Sequence, residues 1–147
     1  MPIKINQETR QFIENVPLPV YEGDSYTVIS HGSIIDNIRQ NLATNNLEVI
    51  RETYTPAQNG NIVTGILEIG NESDRELSFN IAFLNSYNKA KRFVIAGGSQ
   101  VRVCQNGHIL GISELGGYKR THTGTADIDA QEYIKIICNN AETEFKK

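Results

Sequence analysis

Cations crowd one stretch of the chain, residues 85–107 (NSYNKAKRFVIAGGSQVRVCQNG). Lys89, Lys91, Arg92 and Arg102 lie there, and Lys119 and Arg120 follow soon after. Grouped cations suit phosphate, and an aromatic ring such as Tyr87 beside them suits a stacked base. If segments 92–96 and 101–104 are neighbouring strands, alternation sets Arg92, Val94 and Ala96 against Phe93 and Ile95. It likewise sets Arg102 and Cys104 against Val101 and Val103. The expectation is a sheet with one apolar, helix-covered face and one face showing Arg92, Arg102 and one of the later pair. The candidate ligand-binding set is Lys89, Lys91, Arg92, Arg102, Arg120, Tyr87 and His122. The competing reading is a solvated sheet face whose arginines are paired to carboxylates.

Other chemistries fit less well. His31, His108 and His122 with Cys104 are zinc-ligand types, but the paired Cys or His spacing of zinc modules is missing. No metal or cofactor is expected. Gly97-Gly98 reads as a bulge between two strands, not a phosphate loop, because no GxxxxGK[ST] pattern is present. Cys104 has no evident base, and Ser30-His31 adjacency places the two side chains on opposite faces of a strand. Carboxylates gather at 72–76 and in the C-terminal segment, where solubility explains them. No catalytic pair stands out, so the expectation is a protein that is not an enzyme.

The elements that must hold these residues follow from periodicity. Residues 1–24 read as an N-terminal arm with a helical turn or two, stopped by Pro17 and Pro19. Residues 25–147 read as a single domain. Residues 25–29 (SYTVI) are a short strand candidate. Ser33 is a plausible N-cap for a helix with Ile34, Ile35, Ile38 and Leu42 on one face, ended by Asn45-Asn46. Residues 47–55 and 62–69 form a hairpin across Asn59-Gly60. Residues 77–83 alternate cleanly, one face to the core and one to water. Segments 92–96 and 101–104 follow, with weaker strands at 109–115 and 118–123. A helix then runs from about Asp127 to the C-terminus, with Ala130, Ile134, Ile137, Cys138, Ala141 and Phe145 on one side. The fold class is α+β: an antiparallel sheet of about five to seven strands with two helices, the second at the C-terminus.

The chain has 147 residues, which suits one domain with a real core. A net charge of −3 argues against coating duplex DNA by bulk electrostatics and leaves room for a local basic strip. No apolar run approaches the length of a membrane span, and the polar N-terminal stretch lacks a signal-peptide core. Two distant cysteines read as reduced thiols, so the expected location is the cytoplasm, that of the host cell if the protein is phage-encoded.

Four pieces together resemble a family of uncharacterised phage/plasmid-like proteins. They are residues 26–33 (YTVISHGS), Asn85-Ser86-Tyr87, the Cys104-Gln105-Asn106-Gly107 turn and residues 120–124 (RTHTG). The resemblance covers about residues 25–125 and implies a mobile-genetic-element origin without supplying an activity. The layout of helix, antiparallel meander and long final helix is also similar to that of phage single-strand annealing proteins. The expected function is binding of single-stranded nucleic acid in replication or recombination. Two alternatives stand beside it. One is a protein that sequesters a small nucleotide signal of host antiviral defence. The other is a structural or virion-associated protein whose arm, residues 1–24, joins a homo-oligomer.

Overall fold

The computed structural model describes residues 7–18, 29–71, 74–87, 92–104, 107–111, 113, 115–120 and 126–145. Among the described residues, three α-helices and seven strands make an α+β fold. They are α1 (Gln7–Asn15), α2 (His31–Thr44), β1 (Val49–Ala57), β2 (Ile62–Asn71), β3 (Asp74–Ser86), β4 (Phe93–Gly98), β5 (Arg102–Val103), β6 (Ile109–Leu110), β7 (Gly116–Arg120) and α3 (Ala126–Phe145). Five strands form one antiparallel sheet in the order β1-β2-β3-β4-β7. β5 and β6 pair separately as a short ribbon, inserted in the chain between β4 and β7.

Helix α2 begins where Ser30 turns the chain from extended backbone. Its hydroxyl accepts from the Ser33 N–H at 3.3 Å, and the Ser33 hydroxyl donates back to the Ser30 carbonyl at 2.8 Å. The N-cap is therefore Ser30, three residues before the serine expected from the sequence. Ile34, Ile35, Ile38 and Leu42 form the buried stripe. At the other end Asn46 takes φ 58°, and the N–H groups of Asn46 and Leu47 return to the carbonyls of Ala43 and Leu42. That is the left-handed helix stop anticipated at Asn45-Asn46.

The helix side of the sheet carries Leu67, Ile69, Ile81, Phe83, Phe93 and Ile95, which meet α2 and the Ala130–Ala141 stripe of α3. Gly97 lies on this side. A Cβ there would stand 2.8 Å from Ile137 Cγ2, so its absence lets α3 approach the sheet. Gly97-Gly98 belongs to β4 and does not interrupt it as expected; the chain leaves the sheet at Ser99-Gln100.

The opposite side is not wet. Ala82, Leu84, Val94 and Ala96 pack beneath Val101 and Val103, with Ile109 against them. The ribbon folds back over the centre of the sheet, so Ile81 to Tyr87 are buried on both faces. This corrects the expectation that one face of β3 meets water.

The N-terminal segment differs from the expected arm too. Ile13 is 1% exposed within the main core, and Arg10 of α1 reaches Asp36 of α2 at 2.9 Å. Gly60, at φ 87° in the β1–β2 turn, lies directly under Val16 and Phe12. Residues 7–18 thus pack on their own domain; the remainder of 1–24, and residues 25–28 of the first strand candidate, lie outside the described residues.

Candidate polyanion-binding surface

Strand register decides which cations share a side. β4 and β7 pair with Phe93 opposite Arg120, Val94 opposite Lys119 and Ile95 opposite Tyr118. Directly paired residues point to the same face. Lys119 therefore lies with Val94 on the ribbon side, and Arg120 lies with Phe93 on the helix side. There the Arg120 Nε donates to Asp129 Oδ2 of α3 at 3.1 Å. Of the later pair it is Lys119 that shares a side with Arg92 and Arg102, whereas Arg120, which the candidate set included, lies on the helix side. Arg92 precedes Phe93 and alternation assigns it to the ribbon side.

Arg102 sits on β5, opposite Leu110 of β6, while Val103 pairs with Ile109. Val103 is buried against the sheet and Arg102 and Leu110 are exposed, so both belong to the outer face of the ribbon. Cys104 and His108 close its end. The Cys104 N–H donates to the His108 carbonyl and the Gly107 N–H to the Cys104 carbonyl, each at 2.9 Å. A Cβ on Gly107 would stand 3.9 Å from Val94 Cγ2, so this turn lies at the Val94 end of β4, towards Arg92 and Lys119. Among the described residues, Arg92, Arg102 and Lys119 are exposed and make no ion pair. Arg10, Arg39, Arg51 and Arg120, by contrast, each lie within 4 Å of a carboxylate. Lys89, Lys91 and His122 of the expected set lie outside the described residues.

Tyr87 has a different task from the expected one. It is 3% exposed and stacks on His31 with ring centroids 3.8 Å apart. Its hydroxyl accepts from the His31 N–H at 2.8 Å. The His31 ring lies between the Gly60 carbonyl, 2.9 Å from Nε2, and the Asn85 amide nitrogen, 3.0 Å from Nδ1. Asn85 also donates to the Ile29 carbonyl at 2.7 Å. With Asn85 donating to Nδ1, the proton of a neutral imidazole sits on Nε2 and points at Gly60. Two of the sequence pieces singled out above, Ser30-His31 and Asn85-Ser86-Tyr87, thus meet in a buried polar knot. It ties the start of α2 to the β1–β2 turn and the end of β3. A base cannot stack on Tyr87 there.

A second buried group went unnoticed in the sequence. The Glu52 side chain is fully buried. Its Oε1 accepts from the Tyr54 hydroxyl at 2.6 Å and lies 3.6 Å from Arg39 Nε. Burial, then the bond to Glu52, pushes the Tyr54 phenol far above its ordinary value. Arg10 stands nearby: burial opposes its charge, but Glu14 and Asp36 outweigh that and raise its pKa. The available signal was parity, since Glu52 and Tyr54 alternate with exposed Thr53 and Thr55. With no exposed carboxylate oxygen, Glu52 is closed to a substrate and is read as part of the packing.

Between α2 and α3 runs a cleft of about 210 Å³ over Ile34 and Ile134, edged by Ser33, Asn37, Gln131 and Asp127. Asp127 is its one charged edge residue, which disfavours an anionic nucleotide there. Among the described residues no three His, Cys, Asp or Glu side chains gather as a metal site would require. No described helix is long and apolar enough to cross a membrane. No protein-family model matches the chain, and neither a curated protein nor a solved structure matches it.

Proposed function

We propose that this protein binds single-stranded nucleic acid without catalysis, through the ribbon side of its sheet. The observation that carries the reading is the asymmetry of charge pairing. Arg92, Arg102 and Lys119 are exposed and unpaired among the described residues, whereas four other arginines are neutralised by carboxylates. Unpaired surface cations attract phosphates at little desolvation cost, and Lys89 and Lys91 are near Arg92 in the chain. Leu110, exposed opposite Arg102, offers an apolar contact to an unstacked base. With Tyr87 enclosed, the strand is held mainly by its backbone, so binding is indifferent to sequence. A role in replication or recombination of a mobile element extends this reading through the family resemblance.

Fluorescence anisotropy with a labelled oligothymidine tests it. Three phosphate contacts give a slope of log K against log salt of about −2. The variant Arg92→Ala/Arg102→Ala/Lys119→Ala should bind at least about tenfold more weakly, with an unchanged circular dichroism spectrum. Binding that ignores salt, or a triple variant that binds like the parent, would refute the reading.

A further inference from the structure

The surroundings of the His31 ring select one charge state. The residue is 0% exposed, and both ring nitrogens face groups of fixed role. The Gly60 carbonyl, 2.9 Å from Nε2, can only accept, so Nε2 carries hydrogen. The Ile29 carbonyl, 2.7 Å from the Asn85 amide nitrogen, can likewise only accept, and this fixes the orientation of that amide. The same nitrogen stands 3.0 Å from Nδ1 and directs its second hydrogen there. Nδ1 is therefore the acceptor, and the closed knot calls for a neutral ring.

A proton added to Nδ1 sets two donors against each other. Asn85 can answer it only by turning its amide, which brings its oxygen against the Ile29 carbonyl. One of two ties is then lost, either His31 to Asn85 or Asn85 to Ile29. Position also opposes the cation. His31 is the first residue of α2, at the positive end of the helix dipole. Burial opposes it again. One contact acts the other way: the Tyr87 phenol is the titratable group stacked on the ring, and an aromatic face favours a cation. A single ring contact returns less than the burial of a charge costs. The described charged side chains of α1, α2 and β1 are engaged with one another or with β2: Arg10 with Glu14 and Asp36, Arg39 with Glu52, and Arg51 with Glu68.

We propose that this knot is an acid-operated latch, closed by the neutral His31 ring and opened by its protonation. It joins three places distant in sequence: the start of α2, the β1–β2 turn at Gly60, and the end of β3 at Asn85 and Tyr87. The sign follows from comparing the two states of the chain. An unfolded histidine takes its second proton at about pH 6.5, whereas the closed knot holds the ring neutral to lower pH. Below about pH 6.5 the unfolded chain thus binds more protons, and the folding constant falls by up to about tenfold per pH unit. Above that pH the latch is fully closed. Tyr87 is also where the chain leaves β3 for Lys89, Lys91 and Arg92, so the latch anchors the root of that cationic segment.

Urea unfolding of the intact chain and of His31→Gln, between about pH 5 and pH 8, tests the latch. Glutamine keeps a donor for the Gly60 carbonyl and does not titrate. His108, His122 and every carboxylate are common to both proteins, so the ratio of their folding constants isolates His31. That ratio should be level from about pH 7 to pH 8 and should fall about tenfold against the parent by pH 5. A ratio that stays level down to pH 5, or that moves in the parent's favour, overturns the proposal. If His31→Gln does not fold, nitrogen NMR of the histidine rings in the parent reads the same state directly. His31 should be neutral with its hydrogen on Nε2 at neutral pH, and still neutral at about pH 6, where a peptide histidine is mostly charged. A charged ring at neutral pH, or hydrogen on Nδ1 of the neutral ring, overturns it as well.

Discussion

The two sides of the sheet differ in where their cations lie relative to buried groups, although each has an exception: Arg51 pairs with Glu68 on the ribbon side, and Lys135 of α3 is exposed without an ion pair among the described residues. On the helix side the arginines near the core each meet a carboxylate: Arg120 is held by Asp129, Arg39 by Glu52 and Arg10 by Glu14 and Asp36. His31, though polar, is enclosed with partners at both ring nitrogens. On the ribbon side, a two-residue pair of strands presses its apolar residues onto Ala82, Val94 and Ala96 and leaves its arginine in water. The difference separates two kinds of work. The helix side supplies cohesion, since an unmatched buried polar group there costs stability. The ribbon side holds Arg92, Arg102 and Lys119, exposed and without an ion pair among the described residues, and the proposed recognition of an external anion rests on them.

Substitutions on the helix side should therefore act on stability. Phe83 is fully buried, its ring stands over Gly65, and it lies 6.3 Å from the Tyr54 ring. Phe83→Ala should cost about 3–5 kcal/mol in urea unfolding. A loss under about 1 kcal/mol would mean that the core does not close around it. Alkaline pH gives the next largest effect. Burial pushes the Cys138 thiol up to about 12 from 9.0, so the unfolded chain ionises first. Its contribution is intact below pH 9 and is lost as pH rises towards 12, by about 1.4 kcal/mol per unit at most. Cys138→Ala should flatten that fall, as chemical denaturation at pH 8 and pH 10 would show. Tyr87→Phe is milder. It leaves the His31 N–H without its acceptor and should cost about 1 kcal/mol by thermal melting, with the ring stack preserved.

Periodic elements were legible in the sequence and relationships between distant segments were not. The stripes Ile34–Leu42 and Ala130–Ala141 repeat at helical spacing, and the core of each helix follows from them. β3 alternates, but alternation cannot say whether a second layer covers the other parity. The 101–110 ribbon, only two residues per strand, supplies that layer. The fate of Lys119 and Arg120 turned on register: a slip of one residue exchanges their faces, and only pairing with Phe93 and Val94 decides it. Tyr87 was misread because its partner, His31, is 56 residues away. The Arg92 and Arg102 part of the candidate surface was legible because both residues alternate with buried neighbours, and exposure agrees with that alternation.

The central claim is that the ribbon side, and not the helix side, meets nucleic acid. It is tested most directly by neutralising one arginine on each side and comparing oligothymidine affinity in the same buffer. Arg102→Gln should lower affinity several-fold, about 1 kcal/mol, and reduce the salt slope by about 0.7. Arg120→Gln, already neutralised by Asp129, should leave both nearly unchanged. Equal losses in the two variants, or a larger one for Arg120→Gln, would contradict the account.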